Sequence, residues 1–346
     1  MHTKSSASIT RPGASVNPPT AWRLALTGLA SLSAAAAQAQ AGSLQIYGRI
    51  NASIERVKIG DQPAVFGLRD NDSLFGLRGE EDLGGNLRAG FVLEGGVAVD
   101  TGAISSNGFF GRKSEVNLSG RFGMLRLGTM ISEAYYATAD RVNPHNYDTG
   151  ASADALYAYV SNGKNHVSWR LPRWRQLTVE IGASLPEKAA SPPKNAWDLA
   201  AQYDVGDWSL GLGYDQWGPS RQATLRANYT IGAWTFGGYH QHSRNWDTVL
   251  YAVDPTRGSH RTTRVAAMYT TGANELHVNV GRASAANHLS ESQALQWTLA
   301  YNYNFSQRTK VYTLYTRIHN DAQASYRSGE PGVSFHSFAV GIRQFF

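Results

Sequence analysis

The feature that most constrains this fold is a run of strictly alternating side chains at residues 293–320. Apolar and aromatic residues occupy every second position from Leu295 to Phe305, with small or polar residues between them. Because successive side chains of a β-strand point to opposite faces, the pattern predicts a strand with one apolar and one polar face. Aromatic rings gather at one end, a short turn at 306–308 follows, and a second strand begins at once. Such a hairpin is typical of a transmembrane β-barrel.

The spacing of the turns predicts sixteen strands. Seven tight connections lie near residues 82–86, 120–123, 172–175, 205–207, 231–233, 272–274 and 306–308. Eight longer ones alternate with them, near residues 58–64, 100–109, 131–164, 187–195, 218–221, 244–261, 285–292 and 321–334. An even strand number, with short turns at one rim and longer loops at the other, is what an outer-membrane barrel requires. The expected fold class is all-β, a 16-stranded antiparallel up-and-down transmembrane β-barrel.

A secreted β-sandwich is the alternative fold for an all-β chain of this kind. Sandwich strands usually have about five or six residues, with branched aliphatic side chains in the core. The alternating runs here are longer, at roughly nine to twelve residues, which is the length of a tilted strand that crosses a bilayer. Strand length therefore favours the barrel.

The N-terminal segment has the composition of a secretory signal peptide. Three basic residues and no acidic residue precede a short apolar run at 24–37, and AAQAQA at 36–41 offers cleavage sites after Ala39 or Ala41. A basic start, a short apolar stretch and an A-x-A site are the parts of such a signal. We predict a signal peptide over residues 1–41 and a porin-like barrel domain over residues 42–346.

Composition excludes several functions. The chain has no cysteine, which rules out disulfides and zinc–thiolate sites. Outside the signal region 29 basic residues face 26 acidic ones, a balance too mild to indicate nucleic-acid binding. After the signal, no apolar run approaches the length of a membrane-spanning helix. No cofactor and no metal site is predicted.

Alternation also assigns side chains to the two faces of the barrel. On the first strand the outward set is Leu44, Ile46, Ile50 and Ile54, and the inward set is Gln45, Tyr47, Arg49, Asn51 and Glu55. The segment 309–318 is apolar on both faces, so its orientation stays open. Seven arginines fall on inward positions: Arg49, Arg78, Arg88, Arg126, Arg170, Arg226 and Arg343. A cation facing lipid at mid-depth costs about 2–4 kcal/mol, which agrees with an inward placement.

Several motifs resemble the general porins of Gram-negative bacteria, of the β-proteobacterial and neisserial type. They are FGLRGEEDLGGNLRAGFVLEGG at 75–96, FGRKSEVNLSGRFGMLRLGT at 110–129 and SFAVGIRQFF at 337–346. The resemblance implies a trimeric, water-filled channel whose third extracellular loop folds inward as a constriction. It also implies contact with outer-membrane lipid and lipopolysaccharide, and with an insertion machinery that reads the terminal Phe346. Leu74 and Thr129 replace two bases usual in the family.

The connection at residues 131–164 is the candidate constriction loop. Its carboxylates are Glu133, Asp140, Asp148 and Asp154, and long loops inside compact folds are usually functional. The opposing pore-lining bases are predicted to be Arg49, Arg78, Lys113 and Arg126, with Arg49 and Arg78 nearest mid-height. The resemblance nominates Arg112 where alternation nominates Lys113, and the sequence leaves that choice open. Arg88, Arg170 and Arg343 lie near tight turns or the C-terminus and are assigned to the periplasmic mouth.

The expected function is passive diffusion of small hydrophilic solutes and ions, with weak anion preference because the bases lie on rigid strands. A substrate-specific channel is the alternative, favoured if Tyr135, Tyr136 and Tyr147 line a solute track. An adhesin or structural barrel with a plugged pore is a third possibility. A barrel enzyme is a further alternative, with His240 and His242 sharing one strand face, but no nucleophile motif surrounds them.

Overall fold

Antiparallel strands run through most of the chain in the computed structural model, which describes residues 42–104, 108–142, 154–161, 163–185, 195–250, 252–254 and 256–346. The barrel strands are β1 (Ser43–Ile59), β2 (Val65–Asp70 and Leu74–Gly84), β3 (Leu87–Ala98), β4 (Lys113–Gly120), β5 (Gly123–Thr129), β6 (His166–Arg170), β7 (Leu177–Ser184), β8 (Ala196–Val205), β9 (Trp208–Trp217), β10 (Ser220–Ile231), β11 (Trp234–Arg244), β12 (Ser259–Thr271), β13 (Asn274–Ala283), β14 (Ala294–Asn304), β15 (Thr309–Asn320) and β16 (Phe335–Phe345). The predicted signal peptide lies outside the described residues.

The sheet closes on itself. Each strand pairs antiparallel with its neighbours in the chain, and β16 pairs with β1 from Phe345 opposite Arg49 to Phe335 opposite Ile59. The two segments of β2 both pair with β1, so they form one barrel strand that is interrupted at residues 71–73. The predicted fold class, a 16-stranded antiparallel barrel, is confirmed. Closure leaves no unpaired edge in the barrel wall.

Short turns gather at one rim, as the sequence predicts. Two residues separate β8 from β9, β10 from β11 and β12 from β13. Gly206, Gly232 and Gly272 lie in these turns with φ of 54°, 56° and 57°. This left-handed conformation suits glycine, which has no Cβ to clash. One prediction about the other rim is wrong: only two residues, 218 and 219, separate β9 from β10, so this loop is as short as the turns opposite.

The faces of the wall follow the predicted alternation. On β1 the outward residues Leu44 and Ile54 are 67% and 63% exposed, whereas Asn51 and Glu55 are buried inside. The orientation left open for residues 309–318 is now determined: Tyr312, Leu314 and Ile318 are buried. Packing explains an apolar side chain on this inner face. Ile318 belongs to a buried cluster that includes Leu156 and Tyr326, so it does not face lipid.

In the described part of the chain, helical structure occurs in one connection. Helix α1 (Glu133–Ala137) and a 3-10 turn, Ala139–Arg141, both lie between β5 and β6. No helix in the described part of the chain is long and apolar enough to cross a bilayer. Three further two-residue strand segments lie outside the barrel wall, at Ala103–Ile104, Trp246–Asp247 and Ala252–Val253.

Candidate functional site

The connection between β5 and β6 has two described arms. The first arm, residues 130–142, carries α1, and the second arm, residues 154–161, leads back toward β6. At the start of α1 the Ser132 Oγ accepts a hydrogen bond from Ala134 N at 3.1 Å, which caps the helix, and donates to Asp215 Oδ1 on β9 at 2.6 Å. Gly211 and Gly213 lie under α1, where a Cβ would collide with the carbonyls of Ala137 and Ala134.

The end of the first arm is held by β10. Arg226 Nε donates to the carbonyl of Ala137 at 2.8 Å, and Asn228 Nδ2 donates to the carbonyl of Arg141 at 2.8 Å. A cation at the last carbonyls of a helix satisfies groups that have no partner within the helix. Two neighbouring strands, β9 and β10, therefore fix both ends of α1 through side chains on their inner faces.

The second arm is bound more deeply. Asp154 receives Arg264 Nε at 2.8 Å and Arg264 Nη2 at 2.7 Å, and the hydroxyl of Tyr239 also donates to it. The side chains of Asp154 and Arg264 are each 1% exposed. Gln241 brackets the backbone of Ala158, donating to its carbonyl at 3.1 Å and accepting from its N–H at 2.8 Å. Side chains on the inner faces of β11 and β12 thus contact this arm directly, and these contacts are buried.

Asp154 is an anchor in this arrangement. Burial alone would raise the pKa of its carboxyl, but the charge of Arg264 and the hydrogen bonds from Arg264, Tyr239 and Leu156 N hold that pKa below its ordinary value. An ionised carboxylate that accepts several hydrogen bonds and is shielded from water neutralises its partner. It contributes no free charge to an aqueous path.

The first arm joins the wall through a different ion-pair group. Arg126 Nη2 contacts Glu115 Oε2 at 2.7 Å, and its Nη1 contacts Glu133 Oε1 at 2.8 Å and Glu180 Oε1 at 2.7 Å. Arg170 contacts the same Glu133 at 3.1 Å and Glu180 at 2.7 Å. Two guanidinium groups therefore bind three carboxylates, and Glu133 connects α1 to both β5 and β6.

A second group of charges lies on β1–β4. Arg112 Nη1 contacts Asp72 Oδ1 at 2.7 Å and its Nε contacts Glu94 Oε1 at 2.9 Å. Arg49 Nη2 contacts Asp72 Oδ2 at 3.1 Å. Lys113 Nζ lies 5.1 Å from the ring centre of Tyr136 on α1, a cation–π distance. Arg112 and Lys113 therefore belong to the same neighbourhood.

Strand alternation does not decide between Arg112 and Lys113. β4 begins at Lys113, so Arg112 is a connection residue that the alternation of the strand does not constrain. Its N–H still bonds to the carbonyl of Glu94 at 3.1 Å, which directs its side chain to the carboxylate of that residue. Both nominations are compatible with the geometry.

A cavity of about 420 Å³ lies beside the first arm. Its charged lining consists of Glu133, Asp140, Arg141, Arg170, Arg173, Glu180 and Asp204, and Tyr136 also lines it. Burial raises the pKa of Asp140, although a hydrogen bond from Tyr135 Oη at 3.1 Å and the nearby Arg141 act to lower it. This cavity can hold water and ions between charges of both signs.

Arg78, another residue predicted to line the pore, lies away from these two groups of charges. Arg78 is exposed and pairs in register with Gln45, near the short-turn rim, where it donates to Gln45 Oε1 at 2.9 Å. It is four residues closer to that rim than Leu74, the cross-strand partner of Arg49. The expectation that Arg78 lies near mid-height with Arg49 is therefore wrong. Asp148 and Tyr147 lie outside the described residues.

Phe346 follows the last barrel strand and extends its pairing. Its N–H and carbonyl form two backbone hydrogen bonds with Gly48, each of 3.1 Å. Its ring covers the position that a Cβ of Gly48 would occupy. The terminal residue therefore helps to close the seam between β1 and β16, and it remains 50% exposed on the outer surface.

Arg264 was not predicted as a site residue, and Arg170 was assigned to the periplasmic mouth. Arg264 occupies an inward position on β12 between Thr262 and Ala266, so alternation alone could have found it. Arg170 ends β6 as expected, but β6 is short and its terminal residue reaches Glu133 on α1. Contacts between a wall and a connection cannot be inferred from strand parity.

The histidines considered for catalysis face outward. His240 and His242 are both exposed on β11, and His240 Nδ1 lies 2.8 Å from Thr263 Oγ1. Within the described ranges no group of three or more His, Asp or Glu side chains could hold a metal ion.

Proteins similar to this chain are described as porins. A family profile described as Gram-negative porin matches residues 25–323. Outer membrane porin protein 32 of Delftia acidovorans is 29% identical over 93% of this chain and 99% of its own length. A major outer membrane protein P.IB of Neisseria lactamica is 32% identical over 46% of this chain and 48% of its own length.

Solved porin structures share the same fold. An anion-selective porin from Comamonas acidovorans superposes with a TM-score of 0.72 at 24% identity, covering 88% of this chain and all of the other. OmpT, an outer membrane protein of Vibrio cholerae solved in a trimer form, gives a TM-score of 0.66 at 16% identity, covering 89% and 100%.

Proposed function

The chain belongs to the Gram-negative porin family and forms a passive-diffusion channel in the outer membrane; we propose that the connection between β5 and β6 narrows this channel and that the channel weakly prefers anions. The proposal rests on one observation about charge. Two of the three described loop carboxylates, those of Glu133 and Asp154, are already paired with arginines. Glu133 binds two arginines, Asp154 is buried on Arg264, and burial raises the pKa of Asp140.

Two inward bases lack such compensation. Within the described residues, neither Arg78 nor Lys113 has a carboxylate oxygen within 4.0 Å. Arg78 contacts the ring of Tyr47 and the amide of Gln45, and Lys113 contacts the ring of Tyr136; these neutral groups leave the positive charges in place. A permeating anion therefore meets two cations that have no ion-pair partner among the described residues, whereas the loop acids Glu133 and Asp154 are already paired. The family likeness to an anion-selective porin supports the same sign.

Reversal potentials in planar bilayers test the sign. A tenfold KCl gradient at low ionic strength should give a weakly anion-selective potential, because the Debye length grows from ~10 Å at 0.1 M to ~30 Å at 0.01 M. Lys113→Gln and Arg78→Gln should each reduce the anion preference, with Lys113 the stronger because it lies beside α1. Arg121→Gln, at an exposed short turn, is the matched charge control. Cation selectivity in the wild-type channel would reject the proposed sign.

A substrate-specific channel is the second candidate, and one observation favours it. Tyr136 lines the 420 Å³ cavity between charges of both signs, a setting that suits an aromatic or sugar-like solute with an anionic group. Saturable block of conductance by one solute, lost in Tyr136→Ala, would support this reading. Equal permeation by unrelated solutes of the same size supports general diffusion.

We also propose that the chain forms a homotrimer and that, separately, Phe346 is needed for its assembly into the outer membrane. The trimer form described for OmpT supports the first proposal, and the two Gly48–Phe346 backbone bonds that close the barrel seam support the second. An SDS-resistant, heat-dissociable band near three times the monomer mass is expected. Deleting Phe346 should lower the yield in the outer membrane but leave the conductance of inserted channels unchanged, whereas normal yield would contradict the role.

The proposed function includes no bond-making chemistry. The channel class supports this view, and a lipase assay on the purified, conducting protein tests it directly. Hydrolysis that is lost in His240→Ala/His242→Ala would overturn it.

A further inference from the structure

The interruption between the two segments of β2 is a β-bulge. Ala52 on β1 pairs with Asp70, and Arg49 pairs with Leu74, so three residues of β2 stand opposite two of β1. A bulge inserts one extra residue into a strand and redirects its side chain. The middle residue, Asp72, has a φ of 59°, in the left-handed region that aspartate adopts more readily than most residues with a Cβ.

The bulge is fixed to the wall by Asn51 on β1. The Asn51 carbonyl accepts from Asn71 N at 2.9 Å, and Asn51 Nδ2 donates to the Asn71 carbonyl at 3.0 Å. The N–H of Asn51 donates to Ser73 Oγ at 2.9 Å, and Asn71 Nδ2 donates to the hydroxyl of Tyr312 at 2.8 Å. Both neighbours of Asp72 in the chain are buried. The bulge therefore presents one carboxylate from a base that is bonded on both sides.

The carboxylate of Asp72 bridges two arginines. Its Oδ1 lies 2.7 Å from Arg112 Nη1, and its Oδ2 lies 3.1 Å from Arg49 Nη2. The side chains of Arg49 and Arg112 are 8% and 21% exposed, whereas that of Asp72 is 43% exposed. Guanidinium N–H groups that bind both oxygens of a carboxylate form a site for an anion of that shape. Asp72 fills this site, and it is the part of the group that water reaches most easily.

The group lies where α1 approaches the wall. Arg49 occupies an inward position on β1, and Lys113, the residue after Arg112, lies 5.1 Å from the ring centre of Tyr136 on α1. A solute that passes between α1 and the strands β1–β4 therefore passes this pair of arginines.

Asp72 also sets the charge of the group. Arg112 Nε contacts Glu94 Oε1 at 2.9 Å, so the two arginines face two carboxylates, those of Asp72 and Glu94. Glu94 is buried on β3 and accepts a further hydrogen bond from the hydroxyl of Tyr47 at 2.9 Å. Asp72 is the more exposed of the two carboxylates, which makes it the one that a solute can replace.

We propose that Arg49 and Arg112 form a carboxylate-binding site in the channel and that Asp72 is a tethered occupant, which a permeating carboxylate displaces. This inference rests on the proposed anion-preferring channel and names a solute class for it. An occupant on the same chain competes with every free solute, so the apparent affinity falls with the fraction of time for which the site is empty. Low affinity suits a channel, because a solute that binds tightly leaves slowly.

Block of the potassium chloride current by benzoate in planar bilayers tests the proposal, with the uncharged analogue benzamide as the reference solute. Asp72→Asn removes the competing charge and keeps the shape of the side chain. With the site filled by Asp72 for about nine-tenths of the time, benzoate should block this variant at about tenfold lower concentration than wild type. Asp72→Gly, which suits the positive φ, should show the same gain. Asp61→Asn, an exposed acid in the loop of the same β1–β2 hairpin, is the control and should respond like wild type.

Two double variants with the net charge of wild type separate a binding site from a general electric field. Asp72→Asn/Lys113→Gln keeps both arginines and should keep most of the gain in benzoate block. Asp72→Asn/Arg112→Gln removes one arginine of the site and should lose the gain. Equal block in the two double variants would overturn the proposal, because the effect would then follow net charge alone.

The single variants can also overturn it. Unchanged benzoate block in both Asp72→Asn and Asp72→Gly would mean that Asp72 does not compete for the site, and an equal gain with benzamide would mean that the site does not recognise the carboxylate. Single-channel conductance in concentrated potassium chloride shows that each variant is folded and open. Block constants do not depend on the sign of the wild-type reversal potential, so a cation-selective wild type would reject the proposed ion preference, while a tenfold gain would still support the site.

Discussion

The two arms of the β5–β6 connection are attached to the wall by the same kind of bond but in different surroundings. The second arm is held by Asp154 and Arg264, whose side chains are each 1% exposed. The first arm is held by Glu133, 16% exposed, which shares Arg126 with two buried glutamates and reaches the 35% exposed Arg170. A buried ion pair holds its segment in place because separating the two charges would leave each of them buried without a partner, which costs free energy. A pair beside a water-filled cavity shapes the local electric field at lower cost.

The largest effect on stability is expected from breaking the buried ion pair between Asp154 and Arg264, which anchors the second arm. Arg264→Gln leaves Asp154 buried without its counter-charge, which should lower the free energy of unfolding by about 3–5 kcal/mol. Guanidinium unfolding of the detergent-solubilised barrel measures it. The double variant Asp154→Asn/Arg264→Gln removes both charges and should recover most of the loss. Equal loss in the single and double variants would mean that the anchor acts through shape and not through charge.

A smaller effect on stability is expected from breaking the ion pairs of Arg126, which attach the first arm to the wall beside the cavity. Arg126→Gln leaves Glu115 without its ion pair and Glu133 and Glu180 with Arg170 alone, but water from the cavity that Glu133 and Glu180 line can solvate these two. We expect a loss of about 2 kcal/mol in unfolding free energy. The same variant should shift the reversal potential toward cations, because one positive charge is lost beside the pore. Arg88→Gln breaks an exposed pair with Glu80 and is the control, expected to cost below about 1 kcal/mol.

The anchor should also have a signature in acid. The pKa of Asp154 in the folded protein lies below its ordinary value of 3.8. Its contribution to stability is therefore complete above about pH 3.8 and is lost as the pH falls through the lower folded value. The stability difference between wild type and the double anchor variant should be constant at higher pH and should shrink below about pH 3.8. A difference that shrinks between neutral pH and about pH 5 would place the sensitive group elsewhere.

The two-residue alternation predicted the strands of the barrel wall but not the contacts that the β5–β6 connection makes with its inner face. The inward positions of Arg49 and Arg126 followed from the two-residue period, because each lies inside a strand with one apolar face. Arg112 could not be assigned that way, since it precedes β4. The pairing of Asp154 with Arg264 spans 110 residues and depends on how a connection folds back onto β12. No local pattern encodes such a contact.

The same limit explains the inner face of β15. Tyr312, Leu314 and Ile318 are inward and buried, where the barrel pattern predicts polar residues. Ile318 packs with Leu156 of the second arm, so this part of the wall is a core and not a pore lining. At Ile318 the apolar inward residue was thus a signal of contact with the loop, whereas Tyr312 and Leu314 pack against Ala300 and Ala339 of the neighbouring strands. The signal at Ile318 became interpretable only when the partner segment was in place.

The smallest effect concerns Asp140, the loop acid that lies on the wet side without an arginine bound to its carboxylate in the described structure. Burial raises its pKa above the ordinary 3.8, against the hydrogen bond from Tyr135 Oη. As the pH falls from neutral, Asp140 therefore takes up a proton at a higher pH than an exposed aspartate would. The cavity then loses a negative charge, and the anion preference should rise. Reversal potentials at low ionic strength, measured across a series of pH values, follow this change.

Two variants isolate that proton. Asp140→Asn should be more anion-selective than wild type at neutral pH, and its reversal potential should vary less with pH because the titrating charge is absent. Tyr135→Phe removes a hydrogen bond that lowers the pKa of Asp140, so the rise in anion preference should begin at a higher pH. Asp61→Asn, an exposed position, is the control for a general loss of negative charge. If Asp140→Asn kept the wild-type pH dependence, the remaining carboxylates of the cavity, Glu133, Glu180 and Asp204, would have to carry it, and the wet arm would influence ions through its arginine-bound glutamates instead.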